Sequence, residues 1–330
     1  MKPLRIAILG GTGFIGSHLA PRLAADGHRL TLLSRNRENH RALTVLPSLR
    51  VVSVDVYDRA ALTRRFEGHD AVINLVGILN ETGAATFARA HVDLTATVIA
   101  ACREAHIARL LQMSSLNAGS NVSKYLKTRG EAETLVKNSG LDWTIFRPSI
   151  VYGRGDGLIS RFAGLLKFTP VLPLARPRAK IAPVYVGDVC KAITHCIGGR
   201  DASGKIHELY GPDVYTLIQL VRMIRDAAHL HRVVMPLPDA LGWLQARVCD
   251  LIPGKPFSSD NFKSLKLDSI GNRDGLTELD IAPRRFATVL PELLDLPAHE
   301  QRMDTARASQ RDSSRHAYEP ATVGSGPPNP

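Results

Sequence analysis

Short apolar runs of strand length alternate with longer amphipathic stretches through the first half of the chain. The apolar runs are Arg5-Leu9, Leu30-Ser34, Val51-Val54, Ala71-Val76, Leu110-Ser114 and Trp143-Arg147; stretches of helical period lie between them near Ile15-Ala25, Arg59-Phe66, Phe87-Ala105 and Ser123-Ser139. Strands that read apolar without alternation are covered on both faces, so the pattern predicts an α/β fold with a doubly wound parallel sheet. Each strand with its crossover helix fits a βαβ unit.

Between the first run and the first helical stretch stands Gly10-Gly11-Thr12-Gly13-Phe14-Ile15-Gly16. A strand, a glycine turn and a helix in that order suit a dinucleotide pyrophosphate. Gly10 allows the sharp turn, Gly13 lets backbone approach phosphate, and Gly16 lets the helix pack closely. The helix N-terminus, with Thr12, Phe14 and Ile15 in the turn, then offers free N–H groups and its positive dipole end. The expected fold is therefore of the Rossmann type.

Beyond Ile150 the rhythm loosens and prolines multiply, at Pro170, Pro173, Pro236 and Pro238. A strand Ile181-Val186, a helix from Asp188, a strand Ile206-Tyr210 and a helix Leu217-Ala228 are still predicted. The expected organisation is a nucleotide-binding domain over 1–150, its sheet completed by about 181–210, with a substrate cap over 151–298 interleaved with it. Residues 299–330 are rich in Ser, Arg, Gln, Gly and Pro, a composition that predicts a disordered tail. There is no internal repeat.

Composition narrows the setting. The chain has 330 residues, 44% apolar, enough for a large core. Cys102, Cys190, Cys196 and Cys249 lack metal-ligand spacing and read as buried free thiols in a reducing compartment. A strand beginning near Leu4 leaves no room for a secretory signal, and no apolar run approaches membrane-spanning length. A cytoplasmic protein is expected. The net charge of +11 belongs to the folded part, because in the tail Arg302, Arg307, Arg311 and Arg315 balance Glu300, Asp304, Asp312 and Glu319. With 5% aromatics and no basic stripe, nucleic acid is not the expected partner. Anionic cofactor phosphates, an anionic substrate or an anionic membrane surface each account for the charge.

The end of the second strand bears on coenzyme choice. NAD-selective sites place a carboxylate there, whereas this chain reads Ser34-Arg35-Asn36-Arg37. Arg35 suits a bidentate pair with a 2′-phosphate, and Ser34 or Arg37 can add a donor, so NADP(H) is expected over NAD(H). Asp55 and Val56 end the third strand, where a carboxylate can accept from the adenine amino group. Leu75, Val76 and Gly77 end the fourth, beside the nicotinamide half. Both are also ordinary strand-end turn chemistry.

These residues, with Met113-Ser114-Ser115, Tyr125 and the run Phe146 to Gly153, resemble the extended and atypical short-chain dehydrogenase/reductase superfamily. Within it, Asn74 to Gly77, Ser123 to Leu126, Asp142 to Ser149 and Leu251 to Pro256 resemble the branch of the thirty-nine-kilodalton nucleotide-binding subunit of respiratory complex I and its bacterial stand-alone relatives. The resemblance covers about 1–290. It implies NADP(H) binding and a role linked to complex I or to quinone biosynthesis. It implies that Ser114 or Ser115 takes the hydroxyl role, that Tyr125 is the acid/base, and that Tyr125 and Pro148 line the coenzyme site. The superfamily lysine, four residues after the tyrosine, is replaced by Arg129.

Arginine can hold a ribose hydroxyl but stays protonated, and Lys124 and Lys127 lie on other faces of the helix. Weakened hydride chemistry is therefore expected. Two apolar stripes with nearby cations, Leu158 to Phe168 and Leu241 to Ile252, are either cap core or a surface for an anionic bilayer or an isoprenoid-like molecule. A lipophilic quinone-like substrate, a respiratory-chain component or peripheral contact with the inner membrane follows from the second reading. The rival functions are an active reductase or epimerase on a small or sugar-like substrate, and a non-catalytic nucleotide-sensing assembly protein.

Overall fold

The computed structural model describes residues 2–34, 48–252 and 255–294. Arg35, Arg37 and the tail from 299 lie outside the described residues.

Seven parallel strands form the central sheet: β1 (Arg5–Leu9), β2 (Arg29–Ser34), β3 (Leu49–Ser53), β4 (Ala71–Asn74), β5 (Arg109–Met113), β6 (Asp142–Pro148) and β11 (Lys205–Leu209). Their order is β11-β6-β5-β4-β1-β2-β3. Alternate residues of β1 enter opposite layers. Ile6 and Ile8 pack with Leu19 and Leu23 of α1 (Phe14–Ala25) and Val189 and Ile193 of α6 (Val186–Ile197). Ala7 and Leu9 pack with Leu62 and Phe66 of α2 (Arg59–Phe66), Leu94 and Val98 of α3 (Leu94–Glu104) and Val136 of α4 (Lys124–Lys137). Both faces are covered, which is why the strand sequences lack polar alternation.

β1 lies between β2 and β4, so the chain reverses direction along the sheet there. In open α/β sheets the crevice outside the carboxyl ends of the strands at such a switch point is where ligands bind.

Several local expectations are corrected. Ile181-Val186 is not one strand: Pro183, which lacks an N–H, separates β9 (Lys180–Ile181) from β10 (Val184–Tyr185), and Val186 already begins α6. β9 pairs antiparallel with β12 (Tyr215–Thr216), and β10 pairs parallel with β7 (Val151–Tyr152). The stretch Phe87-Ala105 opens with a π-helical turn, Ala88–Asp93, before α3. β4 stops at Asn74, not Val76, because the Asn74 side chain accepts the Val76 N–H at 3.2 Å and ends the ladder.

A second core lies over the strand ends. It joins α5 (Gly157–Phe168), β8 (Val171–Leu174), α7 (Leu217–Ala227), β13 (Val233–Pro236) and α10 (Phe286–Leu294) around Leu166, Leu220, Ile224 and Phe286. The stripe of α5 is thus cap core from Ile159 to Leu166, while Phe168 at its end is exposed. Two further helices, α8 (Asp239–Cys249) and α9 (Ser259–Ser264), pack on each other around Ala175, Ala246 and Phe262.

Candidate functional site

The glycine turn sits at the switch point. Gly10 has φ of 72°, in the left-handed region, and a Cβ there would lie 3.1 Å from the backbone of Leu75 and Val76. The turn after β1 and the loop after β4 therefore abut. Gly16 packs on the turn itself, since its Cβ would fall 2.5 Å from Gly11 backbone. Gly13 differs from both. Its backbone is extended, and a Cβ would meet only the Gly10 carbonyl at 3.1 Å, so it faces open space.

Gly13 is also the N-cap of α1, and no side chain caps that helix. Its first N–H groups and positive dipole end point out above the turn, an arrangement that fits a diphosphate. Thr12 at the crest makes no hydrogen bond among the described residues. Ser34, at the end of β2, is buried. Asp55 is exposed, and one of its carboxylate oxygens accepts the Tyr57 N–H at 3.0 Å, so turn chemistry occupies part of the group assigned to adenine. Val56 is buried in the core beneath it.

The residues to which the resemblance gives a catalytic role gather on and beside α4. Ser123 caps the helix through Leu126 N–H at 3.2 Å, and Asp260 of α9 accepts the N–H groups of Lys124 and Tyr125 at 2.8 and 3.1 Å. Tyr125 packs edge-on against Phe87 and His91, with centroids 5.7 and 5.4 Å away, and its hydroxyl has no hydrogen bond among the described residues. Phe87 and the π turn carrying His91 thus brace the tyrosine ring. His91 is buried, and its Nδ1 lies 2.9 Å from the Thr128 hydroxyl. Burial, aided by the Arg129 cation, pushes the His91 pKa down to about 2, so this ring is neutral.

Arg129, at the lysine position, turns inward. It is buried, and its Nη1 donates to the Met113 carbonyl at 3.0 Å and the Val76 carbonyl at 3.4 Å, tying the ends of β4 and β5 together. The guanidinium lies so close to Gly77 that a Cβ there would strike Nη2. Its Nε is buried without a partner, and its carbon stands 5.4 Å from the Tyr125 ring centroid. The cation faces the ring rather than extending as a free ammonium would. Lys124 and Lys127 are elsewhere, beside Glu81 and Glu131 at 3.8 and 3.9 Å.

The two serines separate cleanly. Ser114 donates to Glu133 at 2.7 Å, and Arg147 grips the same carboxylate with two bonds of 2.8 and 2.6 Å. Burial opposes the Glu133 charge, yet the bonds from Arg147 and Ser114 outweigh it and hold the carboxyl below its usual range. Ser115 follows, on a segment fixed to β6 by Ser114 N–H to Phe146 O and Leu116 N–H to Pro148 O, at 2.7 and 3.0 Å. Its Oγ is buried with no partner. Pro148 is buried at the end of β6. Arg147 and Asp188 have structural partners, the latter accepting from Lys191 and from Arg284 N–H at 2.9 and 2.8 Å.

Sequence reasoning passed over Glu133, His91, Phe87 and Asp260. Glu133 carries a signal, because it stands one helical turn from Arg129 on the same face of α4. Asp260 carries none, since 135 residues separate it from Tyr125. Among the described residues no cluster of His, Cys, Asp and Glu could hold a metal ion, and no helix is long and apolar enough to cross a membrane.

A protein-family model described as NAD(P)H-binding matches residues 10–186, more than half of the chain. The chain belongs to this NAD(P)H-binding family. Members of the complex I branch are among its relatives, as the motifs led us to expect. The mitochondrial NADH dehydrogenase (ubiquinone) 1 alpha subcomplex subunit 9 of Rattus norvegicus is 29% identical over 287 residues, covering 84% of this chain and 76% of that protein. A ceramide reductase of Caulobacter vibrioides is 31% identical over 193 residues, 58% of this chain and 60% of that one. An NADPH-dependent quinone oxidoreductase of Escherichia coli shares the fold of this NAD(P)H-binding protein, with a TM-score of 0.72 at 20% identity over 88% of this chain and 100% of that chain.

Proposed function

We propose that this chain is an NADP(H)-binding, atypical short-chain dehydrogenase/reductase-like protein that serves quinone or respiratory-chain metabolism with weakened hydride chemistry. The observation that carries the reading is Arg129, bound to two strand-end carbonyls at the position of the superfamily's lysine, beside a glycine turn that fits a diphosphate. Gly10, Gly13 and Gly16 with Thr12, Phe14 and Ile15 would hold the diphosphate. Ser34, Arg35 and Arg37 would hold the 2′-phosphate, Asp55 and Val56 the adenine, and Leu75, Val76, Gly77, Tyr125 and Pro148 the nicotinamide half. The bound coenzyme would supply a hydride donor or acceptor.

The chain's own residues then position a carbonyl. The partnerless Ser115 Oγ and the unbonded Tyr125 hydroxyl are the donors available to it, while Ser114 is committed to Glu133. Arg129 adds positive charge but cannot relay a proton, which slows return of the tyrosine to its starting state. A lipophilic substrate is favoured by the ceramide reductase relative, and a respiratory-chain partner by the NADH dehydrogenase relatives. The setting we propose is cytoplasmic and peripheral to the inner membrane.

The free Ser115 and Tyr125 hydroxyls also favour a second reading, an active reductase or epimerase on a small or sugar-like substrate. One experiment separates the readings. The purified protein's bound nucleotide is identified by mass spectrometry, and its reduced-nicotinamide absorbance is followed with quinones, quinone precursors and nucleotide sugars. Retained NADPH with slow oxidation by lipophilic acceptors, abolished in Tyr125→Phe, supports the proposal; fast turnover of nucleotide sugars supports the second reading. Retention without turnover supports a nucleotide-sensing assembly role. Failure to bind either coenzyme overturns all three.

A further inference from the structure

Helix α8 is built inside out. Its small residues, Gly242 and Ala246, pack inward, and a Cβ on Gly242 would already lie 3.0 Å from both Ala175 and Phe262. Its large apolar residues point to solvent. Leu241, Leu244 and Val248 recur at helical spacing on the opposite face, with Leu244 58% exposed and Trp243 at its flank, and Leu251, 85% exposed, and Ile252 continue the apolar surface in the turn after the helix. A surface helix normally buries such a stripe, so an exposed one of this length marks a surface that is covered by something else.

The charges around it select the cover. Of the four carboxylates between 239 and 268, Asp239 is paired with Arg176, while Asp250, Asp260 and Asp268 keep their charge and accept the backbone N–H groups of Ser259, of the first turn of α4 and of Lys180. Arg178, Arg247, Lys255, Lys263 and Lys266 form no ion pair among the described residues, and Arg247 instead lies over the Trp243 ring, 5.8 Å from its centroid. Arg176, Arg178 and Lys266 line a cavity of about 590 Å³ at the N-terminal end of α8 together with Asp239 and Asp268, so its cations outnumber its carboxylates by one. An apolar stripe with an aromatic at its flank and five cations beside three unpaired carboxylates, a net positive surface, matches the interface of an anionic bilayer.

We propose that the outward face of α8 and the turn after it, from Leu241 to Ile252 with its neighbouring unpaired cations, docks this protein on an anionic membrane surface. The inference deepens the functional reading, because the same segment leads to the cleft. Lys255 O accepts from Asn80 Nδ2 at 2.8 Å, beside the exposed Leu79 in the loop after β4, and Asp260 of α9 caps the helix that carries Tyr125. Docking through α8 would bring the mouth of the cleft to the lipid, where a long-chain substrate resides.

The test is flotation of the full chain with vesicles of phosphatidylcholine alone or supplemented with phosphatidylglycerol, with coenzyme binding measured on the same samples. Flotation that requires phosphatidylglycerol, weakens with added salt, and falls at least about tenfold in Leu244→Glu/Val248→Glu supports docking. Lys263→Glu/Lys266→Glu should lose the preference for anionic lipid and serves as the second arm should the first variant fold poorly. Wild-type protein that ignores lipid charge, or variants that float as well as wild type, overturn the proposal. So does a dimer that Leu244→Glu/Val248→Glu dissociates without any flotation, or selective capture of an NADH dehydrogenase subunit in place of lipid. Intact coenzyme affinity alongside any of these outcomes leaves the functional reading standing while docking fails.

Discussion

Arg129 and Gly77 are one unit. The guanidinium can reach the Met113 and Val76 carbonyls only because residue 77 has no side chain. Gly77→Ala should cost about 1–3 kcal/mol in chemical denaturation, as overpacking in a buried place does, and Arg129→Lys should relieve part of that loss because an ammonium is narrower. A double-mutant coupling energy below about 0.5 kcal/mol would show that the two residues do not share the space. The second residue-scale prediction concerns Glu133. Replacing it with Ala strands Arg147 and leaves Ser114 without its acceptor, and a loss of about 3–5 kcal/mol is expected in the same assay, whereas Tyr125→Phe removes an unbonded hydroxyl and should leave stability within about 0.5 kcal/mol.

Among the elements, α1 and α4 bring the two halves of the cleft together by different means. The start of α1 is fixed by glycine contacts within its own turn. Gly16→Ala puts a methyl 2.5 Å from Gly11 backbone, which cannot step aside, so it should weaken coenzyme binding at least about tenfold and lower the melting temperature, as read by calorimetry and a thermal scan. The start of α4 is held from far away, by Asp260. Removing that carboxylate with Asp260→Ala should cost about 1 kcal/mol, the usual loss for a helix cap, and undocking of α9 should accompany it as faster amide exchange in α4.

The whole molecule responds to pH through its buried groups. His91 is held down near 2, so between that value and about 6.5 the unfolded chain binds a proton that the folded chain refuses. Stability from this residue is complete above about pH 6.5 and drains away as pH falls, at about 1.4 kcal/mol per pH unit. Burial lowers His28, His69 and His207 as well, and they act in the same direction. Asp156 opposes them. Its pKa is pushed up to about 6 by burial, so the folded chain gains relative stability as pH falls from about 6 toward 3.8. Urea midpoints at pH 7.5 and 5.0 should show lower stability at the acid value, and His91→Gln should shrink that difference. An unchanged difference would remove His91 from the account.

Local physics made much of this protein legible in its sequence. A left-handed turn needs Gly10, a backbone collision demands glycine at 16, and unbroken apolar runs require helices on both faces of a sheet; each rule acts over a few residues, so the nucleotide-binding half could be read directly. The replacement of lysine by Arg129 was equally plain, because an i to i+4 spacing on a helix is a local property. Distance in the chain hid the rest. That Glu133 claims Ser114 while Ser115 stays unbonded, and that Asp260 caps the helix of Tyr125, depend on groups brought together only by the fold. The two apolar stripes looked alike as strings of letters. Only packing decided between them, burying Ile159, Ala163 and Leu166 of α5 beneath α7 while small residues of α8 took the inner face and turned its leucines outward.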